Sequence, residues 1–279
     1  MRKPVGIIYG VNDTPPVSVT VLSGLQHVGL ISIFLLFPLL VGDEAHLSPG
    51  KVLDLLSLSM LAMSAGAILP ALTRGPVGAG FLSPAVFTAA YLVPSLLAVK
   101  TGGLPLVFGM TVFAACVEAA LSRLQHHLRP FFPPEIAGFV VAMLGVTIAA
   151  IGVRYVLGVA SPQPTGPREL AVAMVSLGTM VALNVWTGGF LRLFCALLGM
   201  IVGYVAAAGG GILTGADLHR VITTPLLSIP SLDHLAWSFD IALVPAFVVG
   251  ALAACLKTIA NITTCQKIND ADWTRPDMR

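Results

Sequence analysis

Long apolar runs alternate with short polar connections along the whole chain. Eight runs approach the roughly 20 apolar residues that a helix needs to cross the hydrocarbon core of a bilayer, and we predict a transmembrane helix in each. They span residues 17–41, 52–72, about 78–99, about 104–121, about 135–153, 170–186, 191–208 and 241–265. The mixed stretch 211–239 contains prolines and charges, so it predicts an external loop with a short surface helix.

Composition supports a membrane protein. Of the 279 residues, 56% are hydrophobic and 10% are charged, whereas a soluble domain carries about 25% charged residues. A water-soluble domain this apolar would expose patches that aggregate, and lipid removes that problem. The net charge is +2 and the basic residues do not cluster, which argues against a nucleic-acid partner. We therefore predict an all-α, multi-pass protein of the cell (inner or plasma) membrane, with the lipid bilayer as its surroundings.

The distribution of Lys and Arg predicts the orientation, because cytoplasmic loops carry an excess of them. With the N-terminus in the cytoplasm, nine basic residues lie inside and five outside. After eight crossings the C-terminus also lies inside. A polar tail follows the last run and no internal repeat completes itself, so we expect a truncated chain that inserts into a membrane without transporting.

Two polar residues, Gln26 and His27, lie about a third of the way along the first run. Polar side chains at membrane depth are costly and usually face an interior or a cavity. One interpretation has them lining a polar site or a proton relay. The other is a hydrogen bond between neighbouring helices, and the sequence does not decide between the two.

The third run is interrupted near its start by three glycines and two prolines within residues 73–84. Irregular backbone at membrane depth is tolerated inside protein or along a cavity. The pattern predicts an extended segment feeding a half-helix, with Ser83 as N-cap and Pro84 at the first helical position. Such helix ends contribute to substrate sites in transporters; the alternative is an ordinary cytoplasmic loop.

Charged residues interrupt two other runs. Lys257 follows sixteen apolar residues, and Asn261 lies one turn further on the same helix face. Two interpretations are open. Lys257 and Asn261 form a polar stripe on a longer helix, or Lys257 is a lysine that snorkels at the end of the span. We predict that Glu118 reaches the cytoplasmic interface or pairs with Arg123, and that Glu135 caps the first turn of the fifth helix.

Several of these segments together resemble the nucleobase/ascorbate transporter family, also called uracil–xanthine permeases. The leader at residues 9–16 (YGVNDTPP), the Gln26-His27 pair and the broken segment Phe81-Leu-Ser-Pro84 match its first and third helices. Phe132-Pro-Pro134 with Gly138 matches its fifth helix, and residues 198–204 (LGMIVGY), which contain a GxxxG pattern, match its seventh.

The resemblance implies a fold of two inverted repeats of seven helices, in which helices one to four and eight to eleven form a core domain and the rest a gate domain. It implies core helices at residues 1–130, gate helices at 131–210, an external loop at 211–238, and the eighth helix with a cytoplasmic tail at 239–279. This chain would hold the first repeat and the opening of the second.

The implied activity is ion-coupled symport of nucleobases such as uracil or xanthine, driven by H⁺ or Na⁺ and needing no cofactor or metal. A small-molecule substrate is then the expected partner, and a homodimer is compatible with the resemblance. The implied substrate-binding residues are Gln26, His27, the backbone at Ala79, Gly80 and Phe81, and Lys257 and Asn261.

One departure concerns the eighth helix, where Lys257 stands at the position of the family's substrate-binding glutamate and Ala260-Asn261 replaces Gly-Asp. A carboxylate accepts hydrogen bonds from a ring N–H, whereas an ammonium only donates. An anionic or carbonyl-rich ligand would suit Lys257 better, so an anion transporter of the related sulfate-permease fold is an alternative. A non-transporting structural membrane protein is another. An enzyme is not expected, because His27 has no nucleophile or metal-ligand partner at suitable spacing.

Overall fold

The computed structural model describes residues 9–10, 13–72, 78–83, 86–128, 134–158, 165–223, 230–231 and 236–270. Several segments considered above lie outside these ranges: residues 11–12 of the leader, 73–77, Pro84, Phe132 and Pro133, 224–229 and 232–235 of the predicted external loop, and the tail 271–279. The side chain of Glu135 also lies outside the description.

Every regular element within the described ranges is helical. The α-helices are α1 (Val17–Ser32), α2 (Leu36–Glu44), α3 (Pro49–Ala71), α4 (Ala89–Leu128), α5 (Pro134–Val156), α6 (Pro167–Trp186), α7 (Gly189–Leu193), α8 (Cys195–Gly209), α9 (Gly215–Thr223) and α10 (Val244–Asn269). Short 3-10 turns at Ile33–Leu35 and Ile241–Leu243 precede α2 and α10. Helix α9 is the short helix predicted within residues 211–239.

Six helical stretches in the described part of the chain are long and apolar enough to cross a membrane. They are Val17–Glu44, Pro49–Ala71, Ala89–Arg123, Gly138–Val156, Pro167–Trp186 and Ile241–Asn269. The predicted seventh span is a 15-residue helix, α8, preceded by the five-residue α7. The predicted third and fourth spans both lie in α4, which consists of two helices that meet at Gly103, where φ is +67° and ψ is −162°. Tyr91 and Glu118 are 27 residues apart and hydrogen-bonded to each other, so the second of these helices folds back along the first. An all-helical, multi-pass membrane protein is therefore the observed class.

The extended segment before α4 is longer than the sequence suggested. The prediction of Ser83 as N-cap is wrong, because α4 begins at Ala89. Thr88 lies at the cap position instead, and its Oγ1 accepts a hydrogen bond from the Ala90 N–H at 3.4 Å. The segment requires glycine at 78, where φ is +111° and a Cβ would lie 2.3 Å from the Leu72 carbonyl oxygen.

The chain divides into two compact units. The first contains residues 34–146 and 230–270, hence α2, α3, α4, the start of α5, and α10. Its core lies where α4 and α10 pack along each other and α2 covers α4. Phe247, Ala98 and Met110 are fully buried there. Burial of these apolar side chains holds both parts of α4 against α10.

The second unit contains residues 17–33 and 147–229, hence α1, the end of α5, and α6 to α9. Helices α6 and α8 pack closely through the GxxxG pattern at Gly199 and Gly203. A Cβ at Gly199 would lie 2.1 Å from Met180 Cγ. The Ser176 hydroxyl donates a hydrogen bond to the Gly199 carbonyl oxygen at 2.9 Å, so the glycines allow the backbone approach that the sequence pattern permits.

Candidate functional site

A cavity of about 460 Å³ lies inside the first unit. Its walls come from α2, α3, the extended segment before α4, α4 itself and α10. Most of the lining is apolar and includes Phe37, Phe87 and Phe108. The polar lining comprises Ser59, Ser83, Thr88, Tyr91, Ser95, Thr111, Glu118, Lys257, Thr258 and Asn261. An apolar cavity with a few convergent polar groups is the usual form of a small-molecule site.

Lys257 and Asn261 both line this cavity from α10. The spacing of one helical turn places them on the same side of the helix, as the sequence predicted. Lys257 lies near the middle of the 26-residue helix, so it is not at the end of a span. A lysine so far from either helix end, facing a cavity, does not fit the snorkelling alternative.

Tyr91 and Glu118 face the cavity from α4. The Tyr91 hydroxyl donates a hydrogen bond to Glu118 Oε1. Glu118 is close enough to Lys257 for the two opposite charges to attract each other. The prediction that Glu118 reaches the interface or pairs with Arg123 is wrong, because its carboxylate belongs to the cavity.

The Tyr91 ring is fixed by α10. Its centroid lies 6.2 Å from that of Phe247, which is fully buried. A Cβ at Gly250 would lie 2.9 Å from Tyr91 Cδ1 and 3.2 Å from the Ala90 carbonyl oxygen. Glycine at 250 thus provides the space that lets Tyr91 lie against α10 while its hydroxyl reaches Glu118.

The extended segment before α4 contributes Ala79 to the cavity wall. The backbone N–H groups of Ala79 and Gly80 donate to the Pro70 carbonyl oxygen, at 2.9 and 3.1 Å. They satisfy one of the carbonyls that the C-terminus of α3 leaves free. Phe81 is buried and is not among the lining residues. The two N–H groups tie the segment to α3.

The structure places Gln26 and His27 on α1, in the second unit. His27 Nε2 is buried and has no hydrogen-bond partner within the described part of the chain. The cavity itself is lined by residues of the first unit. That Gln26 and His27 join Lys257 in one site stays a prediction.

Sequence reasoning missed Tyr91 and Glu118. A usable signal existed for Glu118, because an ionisable residue within an apolar run is a functional candidate by default, as for Lys257. The predicted pair with Arg123 ignored the spacing of the two residues. Side chains that face each other on a helix are three or four residues apart, and Arg123 lies five residues after Glu118. Tyr91 gives no such signal, since an aromatic residue in an apolar helix is ordinary.

The cavity combines donors and acceptors on opposite helices. Lys257 can donate, Asn261 can donate and accept, and the Glu118 carboxylate can accept. The buried hydroxyls of Ser59 and Ser95 add weaker groups of both kinds. Apolar and aromatic walls with such groups suit a flat heterocycle that bears carbonyl oxygens and ring nitrogens.

The chain is similar in sequence to several known permeases. A xanthine permease of Escherichia coli, XanP, is 25% identical over 97% of this chain and 61% of its own length. A candidate purine permease of Clostridium perfringens is 29% identical over 91% of this chain and 58% of its own length. The uric acid transporter UacT of E. coli is 26% identical over 66% of this chain and 39% of its own length.

The chain thus spans about three fifths of the length of the first two relatives. The sequence model of the permease family that includes xanthine and uracil permeases matches residues 18–279, nearly the whole chain. This match confirms the resemblance noted from the Gln-His pair, the broken third helix and the seventh-helix pattern. The chain belongs to the xanthine/uracil permease family, that is, to the nucleobase/ascorbate transporters.

Proposed function

We propose that this protein is a nucleobase permease that binds an oxopurine such as xanthine or uric acid in the cavity of the first unit. The observation that carries the proposal is the presence of the Lys257 ammonium and the Asn261 amide side by side on the cavity wall. An ammonium donates hydrogen bonds to carbonyl oxygens, and an amide side chain can pair with an N–H and a carbonyl together.

Cavity size and lining support this substrate class. A volume of about 460 Å³ lies within the roughly 300–1,000 Å³ of small-molecule sites, and it admits a bicyclic purine. Phe87 and Phe108 provide aromatic surface for a flat ring. The names of the relatives mention xanthine, purine and uric acid, and xanthine and uric acid carry several ring carbonyls.

The finer features of the transport mechanism belong to the same proposal. We infer symport with H⁺ or Na⁺, a chain that holds the first of two inverted seven-helix repeats and the opening of the second, and a division into core and gate domains as the family resemblance implies. Gln26 and His27 would complete the substrate site from α1. His27 Nε2 supports this, because it is buried with no hydrogen-bond partner among the residues that the structure describes, and such a nitrogen gains free energy when a ligand or another polar group pairs with it.

Equilibrium binding tests the substrate class directly. The purified chain in lipid nanodiscs is titrated with radiolabelled xanthine, and unlabelled uric acid, uracil and sulfate are added as competitors. Saturable xanthine binding that uric acid displaces and sulfate does not is the expected result. An absence of xanthine binding would refute the proposal.

An anion carrier of the sulfate-permease type is the second candidate function, and the Lys257 ammonium favours it. The attraction between Glu118 and Lys257 argues against an anion carrier, because a small inorganic anion would meet a carboxylate in the same cavity. Displacement of xanthine by sulfate in the competition assay, or sulfate binding without xanthine binding, would select this candidate.

A further inference from the structure

The cavity of the first unit contains two opposite charges that face each other from different helices. Glu118 lies on α4 and Lys257 on α10, and both line the cavity. They attract each other, yet no ion pair closer than 4.0 Å joins them among the described residues. Both charged groups thus line the cavity without forming a direct ion pair.

Glu118 is held in place at one oxygen only. The Tyr91 hydroxyl donates to Oε1, and Tyr91 itself is fixed by Gly250 and Phe247. No second hydrogen bond to this carboxylate is found in the described part of the chain. One carboxylate oxygen is thus positioned and the other is left free to accept a bond from a ligand.

Partly buried charges without close partners are costly, and a ligand that satisfies both removes that cost. A separated carboxylate and ammonium require a donor and an acceptor on one ligand. A neutral lactam, in which a ring N–H adjoins a carbonyl group, presents these two groups side by side. An inorganic anion such as sulfate presents acceptors only, which suit Lys257 and oppose Glu118. An anionic oxopurine such as urate keeps ring N–H groups but adds a negative charge, which the Glu118 carboxylate repels.

We propose that Glu118 is a specificity-determining residue that accepts a hydrogen bond from a ring N–H while Lys257 donates to the adjacent carbonyl oxygen, so that the site selects neutral lactams over anions. This inference rests on the proposed function, since it requires the cavity to be the substrate site. Tyr91 is the positioning residue that orients the carboxylate.

The test compares a neutral with an anionic oxopurine on the purified chain in nanodiscs. At slightly acidic pH xanthine is neutral and uric acid is a monoanion, so the two ligands differ in charge but little in shape. Glu118→Gln removes the charge and retains the size of the side chain. We expect it to weaken xanthine binding by about 10- to 100-fold, the loss typical of a charged hydrogen bond, and to strengthen uric acid binding.

Lys257→Met should shift the selectivity the other way, weakening uric acid binding more than xanthine binding. This reciprocal variant also decides the matter if Glu118→Gln fails to fold. Glu44→Gln is the matched control, because Glu44 pairs with Lys100 at 3.4 Å away from the cavity. It should leave both affinities unchanged.

Equal changes for both ligands in Glu118→Gln would overturn the inference, as would no change in either. So would an equal loss of both ligands in Lys257→Met. In each of these cases wild-type binding of xanthine leaves the proposed function standing. A wild-type chain that binds neither ligand would overturn the proposed function and this inference together.

Discussion

At the scale of single residues, the account depends on Lys257. A lysine at mid-membrane costs about 2.5–3.5 kcal/mol on insertion scales, and here it lines a cavity rather than a lipid-facing surface. This residue could be predicted from sequence because a charge interrupts an apolar run. The proximity of Glu118 and Tyr91 to Lys257 could not be predicted, since both come from α4 and only its packing on α10 brings them to the same cavity.

Replacing Lys257 by methionine keeps the length of the side chain and removes its charge. We expect xanthine binding to weaken by about 1.5–3 kcal/mol, the value of a hydrogen bond to a charged group, while membrane insertion is unchanged. Radioligand binding measures the first and carbonate extraction of membranes the second. Lys100→Met, at an exposed ion pair, is the control. Unchanged binding in Lys257→Met would show that Lys257 does not contact the substrate.

Gly250 is predicted to control the Tyr91–Glu118 contact. An alanine Cβ would lie 2.9 and 3.0 Å from two ring carbons of Tyr91, and overpacking of this kind costs about 1–3 kcal/mol. Gly250→Ala should lower the free energy of unfolding and weaken xanthine binding. Denaturant titration in detergent and radioligand binding provide the readouts. Gly138→Ala is the matched control, because nothing lies within 4 Å of a Cβ there; equal effects at the two positions would contradict the prediction.

At the scale of elements, α4 shows that a hydropathy pattern locates apolar helices but does not locate the residue at which a helix begins. The pattern predicted two spans with a break between residues 99 and 104, and the structure confirms it, because α4 consists of two helices that meet at Gly103, where φ is +67° and ψ is −162°. The start of α4 was misplaced at Pro84. The segment that precedes it is tied to α3 by the bonds from Ala79 and Gly80 to the Pro70 carbonyl, and the local sequence gives no sign of this contact.

The break in α4 gives an element-scale prediction. The backbone conformation of Gly103 is strained for any residue with a Cβ, at about 1–3 kcal/mol. The space itself is open, since the nearest atom to a Cβ is Pro105 Cδ at 3.7 Å. Gly103→Ala should therefore lower the free energy of unfolding through conformation alone. The neighbouring Ser238–Pro105 backbone bond (2.9 Å) should lose protection in hydrogen exchange. A stability equal to that of the wild type would refute this reason for the glycine.

At the scale of the whole molecule, apolar surface is the dominant feature. None of the residues in the apolar windows of α5 and α6 is buried, and Val146 and Leu177 are more than half exposed. Helices with so much exposed apolar surface would aggregate in water, whereas lipid or further protein can cover them. Composition alone was sufficient for this conclusion, because the fraction of charged residues needs no knowledge of the packing.

The orientation of the chain stays a prediction that labelling tests. The Lys/Arg distribution places both termini in the cytoplasm and residues 211–239 outside. In a chain whose four cysteines are replaced by alanine, a single cysteine at Thr214 should react with an impermeant maleimide in intact cells. A single cysteine at Ser122 should react only after the cells are opened. The reverse pattern would invert the proposed topology.

The central claim is that the cavity between α4 and α10 is the substrate site, and a structure of the protein with bound xanthine tests it most directly. The account predicts ligand density in this cavity, with Lys257 Nζ about 2.7–3.2 Å from a ring carbonyl oxygen and the Glu118 carboxylate at a similar distance from a ring nitrogen. Xanthine bound elsewhere, or bound in the cavity with Lys257 turned away from it, would contradict the account.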